Sequence, residues 1–153
     1  MNVKKDKTKL ITSVLNATLF SIKSVVPIGS EVKEPKLLKQ ALQLNFGVLI
    51  GITGDMKGKL VFSGNTSTFA SIGEGMYGMS LEGEMLQSFS GELANMIAGA
   101  LSRKLIESNT EINITTPTIL QGDTKIFGYQ QALKLPVIFE QVGILNTYLL
   151  LDS

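Results

Sequence analysis

The chain has 153 residues, of which 44% are hydrophobic, and its formal net charge is +1 at pH 7. This length predicts a single domain over residues 1–153, and the balanced charge gives no reason to expect nucleic acid as a partner. No run of about 18 apolar residues is present, so the sequence predicts no membrane-spanning helix and no membrane partner.

The residue types that are absent narrow the chemistry further. The chain contains no His and no Cys, which excludes zinc sites, Ser-His-Asp triads and cysteine or histidine phosphatases. Its aspartates are scattered and form no paired acidic motif: Asp6, Asp55, Asp123 and Asp152. We therefore expect an enzyme of this sequence to use water as its nucleophile and to hold no metal or cofactor of its own. The lack of Cys also favours a cytoplasmic location.

The first predicted element is a helix over residues 7–26, ended by Pro27. One side of this helix is apolar, and its members recur at helical spacing: Leu10, Ile11, Val14, Leu15, Thr18, Leu19 and Ile22. The basic start resembles a signal peptide, but Asn16 interrupts the apolar run and no small-x-small cleavage site follows. An amphipathic helix is the better interpretation.

Strands follow this helix. Residues 31–38 predict a short strand, and residues 43–53 and 57–63 predict a hairpin joined by a Gly-Asp turn. A short capped helix is then expected at residues 65–73, followed by a Gly-rich connection.

The second part of the chain repeats this order. A long helix is predicted over residues 82–106, and strands are predicted at residues 111–116, 126–139 and 143–151. Pro136 lies inside the second of these strands and indicates an edge position or a bulge, because proline cannot donate a hydrogen bond to the ladder.

A helix followed by three strands thus occurs twice, separated by an insert, which indicates a degenerate internal duplication. We expect an α+β fold in which two long helices pack on an antiparallel or mixed sheet. Overlaying the second half on the first places Asn95 over Asn16 and Glu92 over Ser13. The first copy would therefore keep the amide and lose the carboxylate.

Three glycines in the connection, Gly73, Gly75 and Gly78, spell the G-x-G-x-x-G pattern of dinucleotide-binding loops. That fingerprint needs a buried strand directly before the glycines, whereas the preceding residues, NTSTFAS, predict a helix or a loop. We therefore interpret the glycines as part of a turn between two helices.

The long helix carries an unusual outer face. Its apolar face consists of Leu86, Phe89, Leu93, Met96, Ile97 and Ala100. A stripe on the opposite side consists of Ser88, Glu92, Asn95, Gly99 and Ser102. A solvated stripe usually carries Lys, Glu and Gln, but this one combines one carboxylate and one amide with small residues. The small residues around Glu92 and Asn95 indicate that a partner's loops can approach this face closely: Gly91, Ala98, Gly99 and Ser102.

A longer pattern includes this pair. Ser88 is followed after three residues by Glu92, after two more by Asn95, and after 21 more by Pro117. This pattern, with the surrounding GELANMIAG and the preceding GMYGMS, resembles the CheC, CheX and FliY family of bacterial chemotaxis phosphatases. The chain looks most like CheX members of that family, because only its second long helix carries a complete E-x-x-N.

The resemblance implies a phosphatase that acts on the phospho-aspartate of a CheY-type response regulator. Asn95 would orient the attacking water, Glu92 would pair with the regulator's active-site lysine, and Ser88 and Pro117 would support the site. The Mg²⁺ would belong to the regulator, and the protein would form a homodimer through its sheets. The residues fit these roles, since an amide can position a water for phosphoryl transfer and residues three apart share a helical face.

Two other functions stay open. A non-catalytic scaffold or flagellar-switch module of the same fold would bind a response regulator without hydrolysis; the middle domain of the switch protein FliM resembles this fold but lacks the Glu-Asn pair. An unrelated small-molecule-binding domain would need inward-facing polar groups, which the sequence does not indicate.

The late apolar runs bear on the oligomeric state. Residues 135–141 and 143–151 are too apolar to form a free sheet edge in a monomer, which favours a dimer. Burial of these runs within the monomer's own core is the alternative.

Overall fold

The computed structural model describes the backbone of residues 3–152 and the side-chain environments of residues 7–152. The helices in this part of the chain are α1 (Val3–Val25), α2 (Thr66–Tyr77) and α3 (Gly83–Ile106). The first four strands are β1 (Ser30–Val32), β2 (Lys36–Leu37), β3 (Leu42–Gly54) and β4 (Gly58–Ser63). The last four strands are β5 (Ile112–Ile114), β6 (Thr118–Ile126), β7 (Gln131–Phe139) and β8 (Gly143–Leu151). We refer to α1 through β4 as the first half and to α3 through β8 as the second half.

The described strands pair antiparallel in one sheet, whose order is β1-β7-β8-β4-β3-β5. In addition, β2 pairs with β7 and β6 pairs with β3. β1 and β2 therefore act as one broken outer strand, and β5 and β6 act as another. Counted this way, each half is a helix followed by three strands, and the predicted α+β duplication is confirmed. The outer strand of each half pairs with an inner strand of the other half, so neither half completes its sheet alone.

The helices α1 and α3 pack against each other and on one face of the sheet, with the main core between. Their buried positions coincide under the overlay of Asn95 on Asn16. The matched pairs, each residue at most 2% exposed, are Val14 with Leu93, Thr18 with Ile97, and Ile22 with Leu101. The overlay thus keeps the core-facing side of each helix in phase and leaves both asparagines exposed.

The helices begin and end close to their predicted positions, except that α2 is longer than the sequence indicated. It continues through Gly73 and Gly75 to Tyr77, and Gly78 ends it in the left-handed conformation with φ 73°. The G-x-G-x-x-G glycines therefore lie within a helix and at its end, not directly after a buried strand. Over residues 3–152, no helix combines the length and the hydropathy needed to cross a membrane.

The β3–β4 hairpin forms as predicted, but the prediction for residues 126–139 is wrong. This stretch is not one strand: β6 ends at Ile126, and β7 begins at Gln131. Most of β6 lies where the sequence predicted no strand, because the Gly-Asp pair at its centre resembles a turn. Gly122 and Asp123 fall where the β3–β6 register shifts, so the strand continues past them as an irregularity.

Pro136 and the apolar late strands lie inside the sheet. The edge position that the sequence indicated for Pro136 is therefore wrong. β7 has partners on both sides, but its outer partner is interrupted opposite Pro136, between β1 and β2. The missing N–H of Pro136 therefore falls at a gap in the ladder. β8 also lies between two strands, and most apolar side chains of both late strands are covered within the chain. These runs consequently give no argument for a dimer.

Candidate active site on helix α3

The helix α3 spans 24 residues and turns one face to the core. The buried residues recur at helical spacing on that face: Leu86, Phe89, Leu93, Ile97, Leu101 and Leu105. One acidic residue in the first turn, Glu84, and two basic residues in the last turn, Arg103 and Lys104, complement the helix dipole. Because the core holds one side of the helix, Ser88, Glu92 and Asn95 lie on the exposed side.

An open groove of about 520 Å³ lies between α3 and the segment that joins β5 to β6. Its lining residues are Gln87, Ser88, Gly91, Glu92, Asn95, Thr116, Pro117 and Ile119. The four residues of the sequence pattern, Ser88, Glu92, Asn95 and Pro117, thus border one groove. Among the described residues that line it, Glu92 is the only charged one.

The side chains of Glu92 and Asn95 have no polar partner in the described part of the chain. Both are exposed, and neither makes a hydrogen bond or an ion pair with a residue that the structure describes. The neighbouring Ser90, in contrast, has a partner within the chain, because its hydroxyl donates to the Leu86 carbonyl at 2.7 Å. A carboxylate and an amide about one turn apart on a rigid helix are therefore available to a second molecule.

The small residue Gly91 lines the groove, where its nearest neighbours are Ile119 and Pro117. A Cβ atom at this position would lie 3.4 Å from Ile119 Cδ1 and 3.8 Å from Pro117 Cβ. These are ordinary contact distances, so the wall of the groove formed by Pro117 and Ile119 lies against α3 at this position.

The other small residues of the predicted docking face lie away from the groove. Ala98 is completely buried, so its assignment to the docking face is wrong. Ser102 is half-buried, and its hydroxyl donates to the Ile112 carbonyl at 3.4 Å; it lines a second groove of about 340 Å³ beside β5. Gly99 is half-buried. These residues are less accessible than the stripe suggested because this part of α3 packs against β5.

Three residues of the groove were missed by the sequence analysis: Gln87, Thr116 and Ile119. The side chain of Gln87 donates from Nε2 to Gln121 Oε1 at 2.6 Å and so joins α3 to β6. Ile119 was missed because no strand was predicted over residues 117–125, whereas Gln87 and Thr116 lie in predicted elements but outside the sequence pattern. The available signal for Ile119 was the apolar pair Ile119 and Leu120, which begins two residues after Pro117.

Comparisons with a family model and with a curated relative point to the same family. A family model described as chemotaxis phosphatase CheX matches residues 46–138, a range that includes all of α3 and both sides of the groove. A curated relative, the CheY-P phosphatase CheX of Thermotoga maritima, is 29% identical over 134 residues. That alignment covers 84% of this chain and 86% of the relative.

Solved structures share the fold. A CheC-like superfamily protein from Shewanella sp. PV-4 matches with a TM-score of 0.78 at 22% identity, and 100% of both chains is covered. A chain of the CheX-CheY-BeF3-Mg+2 complex from Borrelia burgdorferi matches with a TM-score of 0.77 at 18% identity. This second match covers 94% of this chain and 97% of that chain. Since the family model spans more than half of the sequence, the chain belongs to the CheX family of chemotaxis phosphatases.

Proposed function

We propose that this protein hydrolyses the phospho-aspartate of a CheY-type response regulator in chemotaxis signalling. The observation that carries the proposal is that Glu92 and Asn95 are both exposed on α3 and bond to no side chain or backbone group that the structure describes. They lie beside the groove wall formed by Thr116 and Pro117. The family assignment and the similarity to the CheY-P phosphatase CheX of Thermotoga maritima support it.

In this mechanism Asn95 positions the attacking water. Water attacks phosphorus in line with the bond to the aspartate oxygen; that bond breaks and releases inorganic phosphate and the free carboxylate. The side-chain oxygen of Asn95 accepts a hydrogen bond from the water and holds it in place. Phosphoryl transfer depends mainly on positioning and charge stabilisation, so a fixed amide can act without a covalent nucleophile.

Glu92 orients the regulator. Its carboxylate would form a charge-assisted hydrogen bond with the regulator's active-site lysine. The three-residue spacing places Glu92 and Asn95 about 5–6 Å apart at their Cβ atoms, so both can enter one partner site together. Ser88 and Pro117 border the same groove and would support its shape.

The proposal assigns Mg²⁺ to the regulator and no cofactor to this chain. The described side chains of this chain include no group of three potential metal ligands, and the Borrelia burgdorferi complex contains both CheY and Mg²⁺. Mg²⁺ would neutralise negative charge on the phosphoryl group. Chelation should therefore stop the reaction, whereas calorimetry of the isolated chain should show no micromolar site for Mg²⁺ or Zn²⁺.

Phosphate release from a phosphorylated CheY-type regulator, measured with and without the purified protein, tests the proposed function. We expect catalytic amounts of the protein to raise the rate above the regulator's own dephosphorylation. Binding without acceleration would instead support a non-catalytic scaffold. If the protein neither binds the regulator nor accelerates phosphate release, both functions are rejected.

We also propose a homodimer that pairs through a sheet edge. Its support is the family resemblance together with the broken outer strands, each of which has partners on one side only among the described residues. Pairing at the edge formed by β1 and β2 would leave the groove on α3 open, so that a dimer would carry two sites. Light scattering at micromolar concentration should give twice the 16.5 kDa mass of one chain. The mass of a single chain would reject the dimer.

A single domain over residues 1–153 and a cytoplasmic location remain predictions from the sequence. The first is supported by the shared sheet, to which both halves contribute strands. Limited proteolysis that released a stable folded half would contradict it.

A further inference from the structure

We infer that Thr115 is a positioning residue for this phosphatase: it fixes the wall of the groove beside Asn95 through hydrogen bonds to Gly51. The inference rests on the proposed function and adds a residue outside the groove lining. Thr115 lies at the break between β5 and β6, directly before the lining residues Thr116 and Pro117.

Two hydrogen bonds join Thr115 to Gly51 on β3. The Thr115 N–H donates to the Gly51 carbonyl at 3.0 Å, and the Gly51 N–H donates to Thr115 Oγ1 at 2.8 Å. In an unbroken antiparallel strand a backbone carbonyl would accept the second bond. The chain leaves the ladder here, and the hydroxyl takes the place of that carbonyl.

The same hydroxyl also forms a hydrogen bond to the residue that follows. Thr115 Oγ1 donates to the Thr116 carbonyl at 3.2 Å, so one side chain bonds both to β3 and to the start of the wall. Pro117 comes next and packs close to Gly91 on α3. The position of the wall relative to Asn95 therefore depends on the anchor at Thr115.

The first half contains the equivalent break without this anchor. The residue after β1, Lys33, donates its N–H to the Pro136 carbonyl at 3.0 Å, in the same place as the bond from Thr115 to Gly51. Pro136 has no N–H, so no donor there needs a hydroxyl acceptor. The half that lacks the Glu-Asn pair thus also lacks the anchor.

The lack of a side chain at Gly51 leaves room for Thr115 in this contact. A Cβ atom on Gly51 would lie 3.0 Å from Thr115 Cγ2 and 3.2 Å from Thr115 Oγ1. A side chain at this position would push Thr115 outward by a few tenths of an ångström. Gly51→Ala therefore perturbs the anchor from the β3 side and leaves the hydroxyl present.

Steady-state hydrolysis of a phosphorylated CheY-type regulator tests the inference with Thr115→Val, which keeps the shape of the side chain and removes the hydroxyl. We expect kcat to fall about tenfold, equivalent to about 1.4 kcal/mol, while KM stays within about twofold, because Glu92 still docks the regulator. Thr115→Ser should restore kcat to within about twofold of wild type, and Gly51→Ala should lower it about threefold.

Thr53→Val is the matched control, since Thr53 is an exposed residue of β3 whose hydroxyl makes no hydrogen bond with any described residue. It should leave kcat unchanged. Wild-type kcat in folded Thr115→Val would overturn the inference even if Asn95→Ala is inactive. If Thr115→Val does not fold, wild-type kcat in Gly51→Ala would overturn it. An inactive wild-type protein would instead reject the proposed function, and this inference with it.

Discussion

The two halves of the molecule share one framework and differ in the exposed residues of their long helices. Each half has a long helix, a broken outer strand and two inner strands, and the buried positions of α1 and α3 coincide. In the second half the exposed Glu92 lies three residues before Asn95, whereas in the first half the half-buried Ser13 lies three residues before Asn16. Burial therefore constrains the framework of both halves, while exposed residues can differ with little effect on stability.

The halves also differ at the break in the outer strand. The second half has Thr115 opposite Gly51, and the first half has Lys33 opposite Pro136. Neither arrangement leaves an unsatisfied backbone N–H at the break. Only the arrangement in the second half uses a side chain, that of Thr115, which also bonds to the groove wall. We expect function to depend on both differences together.

Exchanging the two asparagines for alanine tests the comparison most directly. Asn95→Ala should lower kcat about 30- to 1000-fold, because loss of water positioning costs roughly 2–4 kcal/mol of transition-state stabilisation. Asn16→Ala is the matched control in the other half and should keep wild-type turnover. Phosphate release at saturating regulator measures both. Near wild-type turnover of Asn95→Ala would reject the mechanism.

Charge reversal at Glu92 should have the next largest effect. Glu92→Lys should weaken binding of the phosphorylated regulator about 10- to 100-fold, because it opposes the regulator's lysine in a partly desolvated interface. Glu92→Ala should weaken binding less. Glu74→Lys, an exposed charge reversal on α2, is the control in the same titration. Unchanged affinity of Glu92→Lys would show that Glu92 faces another group.

A core position that differs between the halves should affect stability. Thr147 on β8 is buried, and its hydroxyl has no hydrogen-bond partner among the described residues; Leu60 occupies the equivalent position on β4. Thr147→Val should raise the free energy of unfolding by about 1 kcal/mol, because it removes a buried unsatisfied hydroxyl. Urea denaturation would measure the change. A lower midpoint would indicate a buried water that satisfies the hydroxyl.

The smallest expected effect comes from rebuilding the motif in the first half. Ser13→Glu creates E-x-x-N on α1, and in the Asn95→Ala background it should recover no phosphate release. The reason is that the outer-strand break of the first half has Lys33 and Pro136 in place of the anchor formed by Thr115. Recovered activity would show that the Glu-Asn pair is sufficient without the anchored wall.

The fold could be predicted from the sequence where the signal was local. Helical spacing predicted α1 and α3 closely, and turn residues predicted the hairpin of β3 and β4. β6 was not predicted because Gly122 and Asp123 read as a turn, although β3 pairs on both sides of them. The edge assignment of Pro136 was wrong because the gap opposite it is made by a different part of the chain.

For the candidate site, the sequence by itself determined that Ser88, Glu92 and Asn95 share one face of α3, because the helical period sets the relative direction of these side chains. Only the tertiary structure decided that Ala98 is buried and that Thr115 is bonded to Gly51. That bond joins residues 64 positions apart, across the pairing of the second half's outer strand with an inner strand of the first half. Contacts of this kind depend on how distant elements pack, which no periodicity within one element can indicate.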